Sequence, residues 1–100
     1  MKKIVLVCSA GMSTSLLVTK MEAAASQKEE TIEIVALAEA EVGNHLESAH
    51  IVLLGPQVRY LKGKLEQQLD GRQVPVQVID SVDYGTLNGE AVLDKALQAL

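Results

Sequence analysis

The chain has 100 residues, is 48% hydrophobic and carries a formal net charge of −4, with two tyrosines as its only aromatic residues and a single cysteine. Such a length fits one compact domain over residues 1–100, the apolar fraction excludes a wholly disordered chain, and the acid excess and scarcity of rings argue against a nucleic-acid partner. One cysteine excludes an internal disulfide and, with only His45 and His50 to assist, a closed thiolate zinc site.

The first apolar run, Lys3–Val7, is continuous, as expected of a strand covered on both faces. It is soon broken by Ser9, Ser13, Thr14 and Ser15, which leaves it too short for a secretory signal. No run approaches the ~18 apolar residues of a membrane span, so we expect a soluble, cytoplasmic chain. Leu16, Leu17, Met21 and Ala24 or Ala25 then recur with helical spacing and predict the first helix. Thr31–Leu37 alternates more and suits an edge strand. Ala38–Leu46 is weakly patterned and predicts one short helix.

Ile51–Leu54 is again continuous, and Val58, Leu61, Leu65 and Leu69 make a second helical stripe closed by Asp70-Gly71. Val76–Ile79 predicts a fourth strand, also covered on both faces. Asn88-Gly89 opens a last helix carrying Val92, Leu93, Ala96, Leu97 and Leu100. The order is therefore β-α-β-α-β-α-β-α, which predicts a four-stranded parallel open sheet flanked by helices on both sides. Ligands of such sheets bind beyond the carboxyl ends of the strands. Three segments should meet there: Cys8–Ser15, Gly55–Val58 and Asp80–Gly85.

Cys8 ends the first strand and is followed by Ser9, Ala10, Gly11, Met12, Ser13, Thr14 and Ser15. Small and hydroxyl-bearing residues let the backbone curl and turn successive N–H groups inward as an anion nest, and the helix start adds its own unpaired N–H groups. The same field favours a thiolate, which makes Cys8 a candidate nucleophile. The alternative is a small buried hydrophobe at a strand end. Low-molecular-weight tyrosine phosphatases carry a loop of the form C-x(5)-R-[ST], but Thr14 stands here in place of the arginine. A threonine supplies one hydrogen bond and no charge, so the loop suits holding a phosphoryl group better than hydrolysing it.

Cys8-Ser9-Ala10-Gly11-Met12-Ser13-Thr14-Ser15-Leu16-Leu17, Val52–Tyr60 and Val78–Gly85 together resemble the enzyme IIB component of the lactose/cellobiose (chitobiose) class of the bacterial phosphoenolpyruvate-dependent sugar phosphotransferase system. The resemblance covers nearly the whole chain. It implies a four-stranded parallel sheet resembling the low-molecular-weight tyrosine phosphatase fold. It also implies that Cys8 takes phosphate from a phosphohistidine of the IIA component and passes it to a sugar, a β-linked disaccharide, held by the membrane IIC permease. On that reading the chain acts in the cytoplasm at the inner face of the membrane. It needs no metal and no organic cofactor, and the sequence shows no oligomerisation stripe, so we expect a monomer between encounters with its protein partners. The surface around Cys8 should be flat and exposed, because two partners must reach it in turn.

Other residues admit plainer roles. Asp80 and Asp83 lie where a phosphatase keeps its general acid, but capping and turn formation explain them as well. Gln57 and Tyr84 are candidate rim residues, and Pro56 fixes a turn. His45 and His50 read as surface or strand-flanking. Arg59, Lys62 and Lys64 read as a solvated helix face that would also suit an acidic partner. Two further functions stay open on the residues alone: a cysteine phosphatase or arsenate-reductase-like enzyme, and a non-catalytic interaction module with a structural Cys8.

Overall fold

The computed structural model describes residues 2–8, 12–44, 46–69 and 71–100, with the backbone alone at 12–14 and 44. Four strands, β1 (Lys2–Cys8), β2 (Ile32–Ala38), β3 (Ile51–Leu54) and β4 (Val76–Val78), form one sheet in the order β2-β1-β3-β4. All three pairings are parallel. The helices are α1 (Met12–Gln27), α2 (Lys62–Gln68), α3 (Ser81–Gly85) and α4 (Gly89–Ala99).

Side-chain alternation on the two central strands divides the interior into two layers. Ile4, Leu6, Cys8, Ile51 and Leu53 pack with Leu17 and Met21 of α1 and Val92, Leu93 and Ala96 of α4. Val5, Val7, Val52 and Leu54 face the other way and pack with Val58, Leu61, Leu65 and Leu69. Burial on both faces is why β1 and β3 read as unbroken apolar runs rather than alternating ones. Both helical stripes are buried apart from Leu16, which lies one position off the α1 stripe and is 55% exposed.

The chain moves outward from β1 to β2, then reverses past β1 to β3 and on to β4. The face of each connection reverses with it, since α1 lies in the first layer and the β2–β3 and β3–β4 connections lie in the second. That is the arrangement expected when crossovers keep one hand. The switch point of strand order thus falls between the carboxyl ends of β1 and β3, where ligands of open parallel sheets bind.

Three expectations need correction. The segment after β2 forms two 3₁₀ turns, Glu39–Asn44 and Leu46–Ser48, rather than one short helix. It has too few apolar residues to drive an α-helix onto the sheet, and Val42, Leu46 and Ala49 suffice to pin it. The third helix opens as a 3₁₀ segment, Pro56–Leu61, kinked at Val58 (φ −118°, ψ 23°), before α2 begins. The fourth strand is three residues long and lies at the edge, with Val78 37% exposed, so it is not covered on both faces.

Candidate functional site

Cys8 is the last residue of β1, and its side chain continues the Ile4–Leu6 row into the layer shared with α1 and α4. It is 2% exposed. The expectation of an exposed surface at the nucleophile is therefore not met at the thiol itself. A central strand with layers on both faces leaves its last side chain covered rather than free.

Helix α1 starts at Met12, so Met12–Ser15 form its first turn instead of continuing an irregular loop. Its first turn holds no acidic residue, and the positive end of this 16-residue helix dipole lies close behind Cys8 in the chain. Ser9, Ala10 and Gly11 lie outside the described residues, as do the side chains of Met12, Ser13 and Thr14. Ser15 and Leu16 face outward on the same turn.

Two of the predicted segments, Gly55–Val58 and Asp80–Gly85, reach Cys8. Backbone bonds align them: Gly55 N–H donates to the Val7 carbonyl at 2.9 Å, and Ile79 N–H donates to the Leu54 carbonyl at 2.8 Å. From the β4 side, the Tyr84 hydroxyl lies 3.6 Å from Cys8 Sγ. From the β3 side, Gln57 Nε2 donates to the same hydroxyl at 3.0 Å. Buried Gly55 lies beneath both, and a Cβ added to it would stand 3.0 Å from Cys8 Sγ and 2.8 Å from Gln57 Oε1. Sequence reasoning placed Gly55 in this segment without giving it a role. The available signal was a glycine directly after a fully apolar strand, at its carboxyl end.

Tyr84 is half-buried against the first layer and is carried by α3. Asp80 caps that helix, its carboxylate accepting from Val82 N at 3.0 Å and Asp83 N at 3.2 Å. Asp83 pairs with Lys95 of α4 at 2.7 Å, a contact the sequence reading did not foresee. The Asp83 hydrogen bond, seconded by its charge, holds the Lys95 ammonium above its ordinary value. Both aspartates are thus committed to holding the segment that carries Tyr84.

No hydrogen bond joins the remaining described candidates to the Cys8 thiol. Pro56 starts the 3₁₀ segment after β3. His50 Nδ1 accepts from Lys3 N at 2.9 Å, so it flanks the strand ends, and His45 lies outside the described residues. Lys62 pairs with Glu66 one turn on at 3.2 Å, while Arg59 and Lys64 are exposed. Among the described residues, no group of three or more His, Cys, Asp or Glu side chains is placed to hold a metal ion. No helix among them is long and apolar enough to cross a membrane.

The chain is similar to known proteins in sequence and fold. Residues 3–95 match the family model of the lactose/cellobiose-specific IIB subunit of the phosphotransferase system (PTS). An oligo-beta-mannoside-specific EIIB component of Bacillus subtilis (strain 168) is 42% identical over 100 residues, spanning 100% of this chain and 97% of the relative. A cellobiose-specific EIIB component of Lactococcus lactis subsp. lactis is also 42% identical, over 95% of this chain and 93% of its own. A galactose-specific EIIB component of Lactococcus lactis subsp. cremoris matches at the same identity and coverage. Among solved structures, the cellobiose-specific IIB component of Borrelia burgdorferi superposes with a TM-score of 0.79 at 42% identity, covering 98% of this chain and 90% of that one. The lactose-specific IIB domain of Streptococcus pneumoniae superposes with a TM-score of 0.87 at 15% identity, over 98% and 96% of the two chains, and shares the fold. The chain belongs to the lactose/cellobiose class of PTS IIB subunits, which are phosphotransferases.

Proposed function

We propose that Cys8 is the phosphoryl carrier: it accepts phosphate from a phosphohistidine of a IIA protein and passes it to a sugar bound by a membrane IIC permease. One observation carries this reading. The chain's single cysteine ends β1 at the switch point of the sheet, where Gly55 after β3 and Tyr84 after β4 approach its sulfur. In the first step the Cys8 thiolate forms a bond to phosphorus while the P–N bond breaks and its electron pair returns to the imidazole. In the second, a sugar hydroxyl oxygen bonds to phosphorus and gives up its proton to solvent, while the pair of the S–P bond returns to sulfur as thiolate.

The phosphoryl group arrives already activated, so the chain's task is positioning and electrostatic support, with no resident cofactor. The backbone N–H groups at the start of α1 would hold the equatorial oxygens, and the positive dipole end of a helix favours their charge. Ser9, Ser13 and Thr14 would add hydroxyl donors. Thr14 in place of an arginine leaves the phosphorylated form without the planar cation that supports rapid hydrolysis. Because Cys8 is buried, its covering must yield when a partner docks. Leu16 and Val82, 55% and 69% exposed, sit near the starts of the helices that follow β1 and β4, where they would offer apolar surface to a docking protein.

Relatives named for oligo-beta-mannosides, galactose and cellobiose stand at one level of identity to this chain. That supports a sugar choice made by the permease and not by the carrier. The chain would work in the cytoplasm at the inner face of the membrane. Incubation with phosphoenolpyruvate, the general PTS proteins and a cognate IIA tests the proposal, because label should appear on the wild-type chain and not on Cys8→Ser. Steady turnover of an aryl phosphate with no labelling would favour a cysteine phosphatase instead.

A further inference from the structure

We infer that Gln57 and Tyr84 form a directed hydrogen-bond relay onto Cys8, with the Tyr84 hydroxyl as the donor that supports the sulfur while it is charged. The distances are 3.0 Å from Gln57 Nε2 to the Tyr84 oxygen and 3.6 Å from that oxygen to Cys8 Sγ. Ionisation fixes the direction. A thiolate has no proton, so in that state only the phenol can donate across the contact with sulfur. The phenol has a single proton, and once it points at sulfur the oxygen can only accept from Gln57, whose amide nitrogen donates. Each acceptance makes the hydroxyl a stronger donor to the next group.

The inference rests on the phosphocarrier reading for its consequence, though not for its geometry. Sulfur is anionic twice in that cycle, as the attacking group and as the leaving group. A donor at Sγ lowers the energy of the anion in both states. It moderates the attack on phosphohistidine and speeds the departure of thiolate when the sugar takes the phosphoryl group. Tyr84 touches the reacting atom and is a catalytic residue on this account, whereas Gln57 acts through it as a positioning residue. Gly55 makes the alignment possible, since a side chain there would press on both Sγ and the Gln57 amide. The Asp80 cap and the Asp83–Lys95 pair hold the helix that presents the phenol.

The test is the pH dependence of Cys8 ionisation, followed by thiolate absorbance and by iodoacetamide alkylation in the full chain. No other cysteine contributes to either signal. Tyr84→Phe keeps the ring packing and removes the donor, and should raise the midpoint by about one pH unit, the scale of one hydrogen bond to a charged group. Gln57→Leu changes an exposed side chain and should raise it by a smaller amount in the same direction. Unchanged midpoints in both variants would overturn the relay, and Gln57→Leu alone decides it if Tyr84→Phe fails to fold. A lowered midpoint in Tyr84→Phe would also overturn it, because the neutral thiol would then be the donor and Gln57 the acceptor. The two readings separate cleanly. A wild-type chain that takes label but shows unmoved variant midpoints loses the relay alone, and one that shows the shifts but never takes label loses the phosphocarrier role alone.

Discussion

Gly55 approaches Cys8 so closely that a methyl group on it would stand 3.0 Å from Sγ. The same methyl would lie 2.8 Å from Gln57 Oε1, at the tip of a flexible and exposed side chain. Gln57 can therefore swing aside, whereas Cys8 is fixed at the end of a central strand. Gly55→Ala should leave a folded protein, less stable by about 1 kcal/mol. Phosphoryl transfer should fall on the order of 10- to 100-fold, because a small displacement of an attacking atom is costly. Transfer kinetics beside a urea titration check the pair of effects.

Asp80 separates carrier from phosphatase chemistry. As a cap, its carboxylate accepts two backbone N–H bonds, and an asparagine oxygen can accept the same bonds. Asp80→Asn should keep near-normal labelling. Asp80→Ala should lose about 1 kcal/mol of stability and slow transfer through the loosened Tyr84 segment. Were Asp80 a general acid, Asp80→Asn would be as inactive as the alanine variant, and single-turnover labelling distinguishes the two.

Gly89 seats α4 on α1. A Cβ there would stand 2.5 Å from the Lys20 carbonyl carbon and 2.6 Å from Met21 N, and backbone cannot move aside as a side-chain tip can. Gly89→Ala should cost about 1–3 kcal/mol, despite the better helix propensity of alanine. A lowered denaturation midpoint with an unchanged slope in urea is the expected signature.

Tyr60 reports on the segment after β2. Its hydroxyl donates to Glu39 Oε1 at 2.7 Å, and this bond to a carboxylate, followed by partial desolvation, raises the phenol above its ordinary 10.0. The protonated phenol is the form that fits the fold. Its contribution is therefore complete below the ordinary phenol value and is lost as pH rises through the elevated one. Glu39→Ala should return the Tyr60 titration, read by tyrosinate absorbance, toward the ordinary value.

Much of this arrangement was legible in the sequence because the central strands are buried on both faces. Lys3–Val7 and Ile51–Leu54 could be read as strands from composition alone, and Val58, Leu61, Leu65 and Leu69 as one face of a helix. The strand ends then brought Cys8, Gln57 and Tyr84 together by topology, without any local motif linking them. Periodicity failed where few side chains are buried, at the 3₁₀ turns after β2 and the short edge strand β4, and it did not show the kink at Val58, whose side chain stays buried on the stripe. The burial of Cys8 was hidden for a different reason. Its position at a strand end was readable, but the covering by Tyr84 and the close approach of Gly55 depend on contacts 76 and 47 positions away in the chain.

The central claim is that Cys8 carries the phosphoryl group. Intact-mass spectrometry of the chain after incubation with phosphorylated IIA, followed by fragmentation, measures it directly. The account predicts the mass gain of one phosphoryl group, located on Cys8, released by iodine as a thiophosphate ester is, and absent in Cys8→Ser. A gain retained in Cys8→Ser, or no gain with a donor that labels another IIB subunit of its class, would contradict it.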